Sequence, residues 1–211
     1  GEPPVPFILN QKEVIAYTDA NNSSGIVAGK EVLYVLVRKV GNMQIMKVDY
    51  KSGSVSFLPV PTKASLAELS LYSDNDLLFA AGSAISSVQF LQYDYLNKKT
   101  VPVPFASKVY DASGIFETMV ILVPSRDGMK IPVSLVYKKG MNLQNNNPLL
   151  IEAYGNSGLS TDMFYDPTRV PWLIQGGVYA YAHVRGGGEL GDDWIKDGQF
   201  PKKMNSINDV V

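Results

Sequence analysis

A repeat constrains this chain more than any other feature. Leu33-Tyr34-Val35 is echoed by Leu78-Phe79-Ala80, Ile45-Met46 by Phe90-Leu91, and Asp49-Tyr50 by Asp94-Tyr95, in each case 45 positions further on. The repeat runs through a half of the chain that reads as short β-rich segments, at residues 32–40, 44–50, 55–60, 67–72, 77–81, 87–95 and 100–103, broken by Gly, Asn, Asp and Ser. Almost nothing there has helical periodicity. A period of about 45 residues holding about four strands is the size of a β-propeller blade, which hides one face of its sheet against the next blade. The runs Asp49-Tyr50-Lys51-Ser52-Gly53 and Asp94-Tyr95-Leu96-Asn97-Lys98 are expected to form the outer hairpin of each blade. An all-β sandwich with chance internal similarity is the competing reading. Because a propeller needs about four blades to close, two blades predict a piece of a larger protein.

The register ends near residues 107–114, where the pattern turns to longer strands with α/β character. Residues 117–123 and 130–137 are β-rich runs joined by Pro-Ser-Arg-Asp-Gly, in which Asp127-Gly128 is a strong hairpin signal. The polar stretch 140–147 leads into Pro148-Leu149-Leu150-Ile151-Glu152-Ala153, an apolar run of the kind buried on both faces of a parallel sheet. Residues 178–184 form a second such run. Between them, 164–175 reads as a short helix, with Pro167 and Pro171 early and Gly176-Gly177 at its end. A hairpin followed by strand, helix and strand opens an α/β layer structure.

An apolar fraction of 45% with 18% charged residues suits a globular core. With 19 basic and 20 acidic side chains the formal charge is −1, so the field that nucleic acid or an anionic membrane would need is missing. No window of about 18 apolar residues exists, and the start Gly-Glu-Pro-Pro-Val-Pro lacks a signal-peptide pattern. The absence of cysteine excludes disulfides, thiolate metal sites and a cysteine nucleophile. It fits the cytoplasm and the periplasm equally. Asn21-Asn22-Ser23 and Asn22-Ser23-Ser24 match the N-glycosylation triplet, a pattern of little specificity.

Gly186-Gly187-Gly188-Glu189-Leu190-Gly191 satisfies the dinucleotide fingerprint G-x-G-x-x-G after a strand, with Asp209 at about the distance of a ribose-binding acid. The fingerprint needs a helix carrying its third glycine and then a strand ending in the acid. Asp197-Gly198 and Pro201 interrupt any helix early, and no strand precedes Asp209, so nucleotide binding is not expected. A single Arg185-Gly186-Gly187 in a neutral chain does not make an RNA contact. For nucleophilic catalysis there is one histidine, His183, and no serine with glycine at both second positions, as a nucleophile elbow requires. Ser157, in Gly155-Asn156-Ser157-Gly158-Leu159, fails at Leu159. His183 sits between Ala182 and Val184 in an apolar run, where a structural histidine is expected. One histidine and scattered carboxylates give no zinc spacing. Asp192-Asp193 reads as a solvated turn.

The stretch Tyr179-Ala-Tyr-Ala-His-Val-Arg-Gly-Gly-Gly-Glu-Leu-Gly-Asp-Asp-Trp194, continuing through Gly198, Lys202-Lys203, Asn205 and Asp209, resembles the prolyl oligopeptidase family of serine peptidases, in its prolyl oligopeptidase and oligopeptidase B branch. The segment Arg126-Asp127-Gly128-Met129-Lys130-Ile131-Pro132-Val133 and the run Pro148-Leu-Leu-Ile-Glu-Ala-Tyr-Gly155 match as well. The resemblance implies two propeller blades in residues 1–112 and the first part of an α/β-hydrolase domain in 113–211. It implies short peptide substrates, cleavage after proline or a basic residue by a Ser-His-Asp acyl-enzyme route, and no cofactor. It assigns Tyr154, the tyrosine of a Tyr-Gly pair after the third hydrolase strand, to the oxyanion hole. A phenol donor aimed at the developing oxyanion is worth on the order of a hundredfold in rate. Arg185 and Glu189 read as structural charges beside the glycine turn, which need partners if buried. The family's serine, aspartate and histidine are expected beyond Val211, so the chain alone should be inactive. The rival reading is a non-catalytic β-propeller-like binding module, and under either reading open sheet edges offer a route to self-association.

Overall fold

The computed structural model of the chain describes residues 14–15, 25–39, 42–104 and 109–211. The glycosylation triplets at residues 21–24 lie outside the described residues. The first sheet holds β1 (Val14–Ile15), β2 (Ile26–Ala28), β3 (Val32–Lys39), β4 (Asn42–Asp49) and β5 (Val55–Phe57), with β1 and β2 both pairing with β3. The second is an antiparallel meander of β6 (Ser65–Leu71), β7 (Leu77–Ser83), β8 (Ser86–Asp94) and β9 (Lys99–Pro102). Every pairing in both sheets is antiparallel.

The 45-residue offset maps β3 onto β7, β4 onto β8 and β5 onto β9. Tyr34 and Phe79, equivalent positions of the repeat, are both fully buried, and the equivalent Met46 and Leu91 are buried as well. Asp49 accepts from the Ser52 N–H at 2.8 Å, and Asp94 from the Asn97 N–H at 2.8 Å. The two outer hairpins therefore turn on the same side-chain-to-backbone bond, and both carboxyls are held below the usual range by it. One core, including Tyr34, Leu36 and Ile45 from the first sheet and Leu66, Phe79 and Tyr93 from the second, fills the space between the two sheets. Tyr95 Oη donates to Asp49 at 3.1 Å and ties the outer hairpins together. These are neighbouring propeller blades.

The third sheet contains β10 (Phe116–Pro124), β11 (Lys130–Lys138), β12 (Leu149–Ala153) and β13 (Val178–Ala182), in the order β10-β11-β13-β12. β10 and β11 form the hairpin signalled by Asp127-Gly128, with Gly128 at φ 83°. β12 and β13 are parallel and flank a helical crossover. That crossover begins later than 164. Asp166 is extended because the residue before a proline is pushed out of the helical region, and its carboxylate caps the Thr168 N–H. A 3-10 turn at Pro167–Arg169 then leads into α1 (Val170–Ile174), and Gly176 follows at φ 90°. Two further one-turn helices follow β13: α2 (Asp192–Lys196) and α3 (Met204–Asn208). Asp192 and Asp193 are solvent-exposed, as expected, and form the first turn of a helix.

Alternation along β13 divides its side chains between the two faces of the sheet. Tyr179 and Tyr181 pack with Leu173 of α1 and with Phe116 and Val136, while Ala182 and Val184 pack with Trp194 of α2 and Ile131. β12 departs from expectation. It is the edge of the sheet among the described residues, and Leu149, Leu150 and Ile151 are 52%, 48% and 44% exposed rather than buried on both faces.

The two blades meet the third sheet and the loop that follows β12 through several polar bonds. Ser65 Oγ donates to Met163 O at 3.0 Å, Lys63 Nζ to Thr118 O at 3.1 Å, and the buried Arg38 pairs with Asp162. A cleft of about 690 Å3 opens beside these bonds, bordered by Pro61, Lys63, Ser86, Met119 and Met163.

Candidate active site

Tyr154 follows the last residue of β12, at the carboxyl end of a parallel strand, where α/β sheets place their ligands. The backbone pairing of β12 with β13 stops at Ala153↔Ala182. Tyr154 leaves the sheet with its side chain 54% exposed, so the phenol can reach a molecule above the strand ends. Glu152, two residues back, accepts from Tyr179 Oη and from Arg169 Nη2 at 3.2 Å. The Arg169 guanidinium lies over the Tyr179 and Tyr181 rings at 4.4 and 5.0 Å from their centroids. Burial, and next the bond to Glu152, push the Tyr179 hydroxyl up from its ordinary value. The end of β12 is therefore tied to the start of the crossover helix before the chain reaches Tyr154.

Beyond Tyr154 the backbone enters a junction of three loops. Gly155 is buried at φ 56°, and a Cβ there would lie 2.4 Å from Val184 Cγ2 and 2.9 Å from Arg185 O. The second loop is the glycine turn 185–188, whose Gly186 carbonyl accepts from the Gly158 N–H at 3.0 Å. The third runs from Gly198 to α3. Its Lys203 Nζ donates to Gly155 O, and Ser206 Oγ lies 2.5, 3.1 and 3.3 Å from the carbonyl oxygens of Arg185, Gly198 and Gly155. The triple glycine is thus a place where backbones touch, not only a tight turn. It is no phosphate cradle: the helix after Gly191 is five residues long, and Asp209 is committed to Arg185.

Arg185, 3% exposed, has the partners that a buried charge requires. Its Nη2 donates to Asp209 Oδ1 at 2.6 Å, its Nε to Asp209 Oδ2 at 3.0 Å and its Nη1 to Asp127 Oδ2 at 2.6 Å. Ser125 Oγ also donates to Asp209, at 2.8 Å. This cluster fastens α3 to the β10–β11 hairpin and so supports the junction from below. Asp209, weighed from sequence as a ribose ligand, is its central anion.

Sequence reasoning missed one constellation. Ser134 Oγ lies 2.8 Å from His183 Nε2, and His183 Nδ1 lies 3.4 Å from Glu189 Oε1, which also accepts from the Thr161 N–H at 2.8 Å. The chemical order is serine, histidine, carboxylate, but all three are buried, with Ser134 at 0% exposure. No substrate carbonyl could approach that hydroxyl, so the set is a structural relay between β11, β13 and the glycine turn. The signal available beforehand was Ser134 itself, a polar residue inside the run Ile131-Pro132-Val133-Ser134-Leu135-Val136, which needs a partner when buried. With His183 committed there, Ser157 on its exposed loop is given no general base by it. Among the described residues no three His, Asp or Glu side chains gather as a metal site.

Residues 164–211 match the model of the prolyl oligopeptidase family. Protease 2 of Moraxella lacunata is 29% identical over 212 aligned positions, covering 99% of this chain and 30% of that protein. Dipeptidyl aminopeptidase BI of Pseudoxanthomonas mexicana is 43% identical over 114 positions, 54% of this chain and 15% of that protein. A post-proline cleaving enzyme from Rickettsia typhi superposes with a TM-score of 0.79 at 23% identity, over 98% of this chain and 29% of that one. The chain thus spans less than a third of the length of these relatives.

Proposed function

We propose that the chain belongs to the prolyl oligopeptidase family of serine peptidases and forms part of an oligopeptidase that hydrolyses short peptides after proline or a basic residue. Residues 1–112 supply propeller blades and 113–211 begin the hydrolase domain. The reaction is acyl transfer through a Ser-His-Asp triad whose members lie outside this sequence. The single observation that carries the reading is the placement of Tyr154, which projects from the carboxyl end of a parallel strand on a braced backbone. An exposed phenol there can donate to the oxygen that becomes negative when a serine attacks the peptide carbonyl. Such a donor acts on the transition state more than on bound substrate, so its loss appears in kcat. In the enzyme that carries this chain, Tyr154→Phe is expected to lower kcat for a fluorogenic peptide amide by on the order of a hundredfold, with KM little changed. An unchanged kcat would remove Tyr154 from the chemistry.

The chain by itself holds no nucleophile elbow, and its one histidine is buried against Ser134 and Glu189. The 211-residue chain is accordingly expected to stay unlabelled by a serine-directed fluorophosphonate probe in intact-mass analysis. Stoichiometric labelling at any serine, Ser157 included, would show that a working nucleophile is present.

A further inference from the structure

We propose that Lys203 is a positioning residue for the Tyr154 phenol and acts through the Gly155 carbonyl; the inference rests on the reading of Tyr154 as oxyanion donor. The half-exposed Tyr154 ring has little packing to fix it, so its direction is set by the backbone on either side. On the strand side that backbone is held by the ladder to β13, which ends at Ala153. On the other side the next residue is a glycine, whose φ and ψ are free to change unless something outside holds them. The holding contacts are those of the Gly155 carbonyl with Lys203 Nζ and Ser206 Oγ.

These two contacts are not equivalent. Three carbonyl oxygens converge on Ser206 Oγ, yet a hydroxyl has only one proton to give. The shortest of the three approaches, 2.5 Å, is to Arg185 O, so the proton is taken there. Gly155 O, 3.3 Å from the same hydroxyl, is left facing an oxygen. The Lys203 ammonium resolves the conflict, because it carries three donors and a charge. One donor goes to Gly155 O, and the Ser206 oxygen lies 3.5 Å from the same nitrogen. A charge-assisted bond to a carbonyl is about twice as strong as a neutral one. Removing it leaves Gly155 O against Ser206 Oγ, and the glycine peptide can relieve that contact by rotating. The neighbouring Lys202 does something different: it forms an exposed ion pair with Asp197 at 2.7 Å.

A displacement of about 1 Å at a catalytic group can cost about a hundredfold in rate. Lys203 is therefore tested in the full-length enzyme beside Tyr154→Phe. Lys203→Met is expected to lower kcat by roughly tenfold to a hundredfold, with KM within about threefold, and Lys203→Arg to recover most of the loss. The decisive measurement is the double variant. If Lys203 acts through the phenol, adding Lys203→Met to Tyr154→Phe lowers kcat no further, whereas independent effects multiply. Multiplicative losses, or full activity of Lys203→Met, overturn the positioning role while leaving Tyr154 as donor. Full activity of Tyr154→Phe overturns the donor reading and this inference with it. Lys203→Gln, which keeps a donor without the charge, takes the place of Lys203→Met in the cycle if the methionine variant does not fold.

Discussion

Arg185→Met is expected to destabilise the folded chain by about 3–5 kcal/mol, the range seen when one partner of a buried ion pair is removed. The Asp209 carboxylate has no exposed surface. In the variant it would keep the Arg185 backbone N–H and the Ser125 hydroxyl as donors, at 3.0 and 2.8 Å, but no counter-charge. Two dipolar donors do not offset the desolvation of a full negative charge. For a chain of this size each kcal/mol lowers the midpoint by about 2–4 °C. Thermal unfolding should therefore begin far lower, and α3, which carries the approach to Asp209, should lose amide-exchange protection before the blades do. Because the cost comes from the stranded anion, Arg185→Met combined with Asp209→Leu should recover most of the stability. A double variant no better than the single one would mean that packing around Arg185, and not its charge, sets the cost.

The same cluster predicts a response to acid. The Asp127 carboxyl is held below the usual carboxylate range, first by its bond to Arg185 and then by the Met129 N–H. A group whose folded pKa is depressed contributes stability that is complete above its unfolded value of about 3.9 and is lost as pH falls through the folded value. Asp127 is 48% exposed, so its share is small and screened by solvent. Arg185→Met should flatten this part of the acid-unfolding curve, while the parts due to Asp49 and Asp94, which rest on backbone bonds in the blade hairpins, should be unchanged.

The blades were legible in sequence because adjacent blades face the same environment. Position 34 and its counterpart 79 must both carry a large apolar side chain into the space between sheets, and Asp49 and Asp94 must both cap a turn. The echo weakens where the environments differ. Ile45 is buried in the inter-blade core, whereas its counterpart Phe90 is 46% exposed. The α/β half was legible as element types because turns, prolines and apolar runs are local signals. What lies across the sheet was not. Ser134 and His183 stand 49 residues apart in sequence, and only the β11–β13 register brings them together. Lys203 likewise reads as one of a pair of surface lysines, since nothing near it in sequence announces the Gly155 carbonyl 48 residues away. The apolar pattern of β12 was visible, but the pattern does not say which elements cover the strand. The motif around the glycines was the strongest signal for the family and a poor guide to its own purpose.

That purpose is testable through a series of alanine substitutions, of which Gly186→Ala should be the most damaging. Two costs can act when a glycine gains a Cβ. One is the left-handed backbone, about 1–2 kcal/mol for a residue with a side chain. The other is collision, about 1–3 kcal/mol when neighbours can yield and more when they are backbone. Gly140 isolates the first cost, since its φ is 77° and no atom stands within 4 Å of a built Cβ. Gly114 has neither strain nor neighbour and serves as the control. Gly186 has both: its φ is 96°, and the new methyl would sit 2.3 Å from Gly155 O and 3.1 Å from Gly198 O, both backbone atoms of the other two loops. The expected order of loss in chemical denaturation is therefore Gly114→Ala near zero, Gly140→Ala about 1–2 kcal/mol and Gly186→Ala about 2–5 kcal/mol. The collision also falls on the oxygen that Lys203 holds. Gly186→Ala in the full-length enzyme should thus lower kcat even under conditions where it stays folded, and Gly140→Ala should not. Equal losses of stability at 140 and 186 would show that the glycine turn is there for its φ alone, and that the three loops can part without consequence for Tyr154.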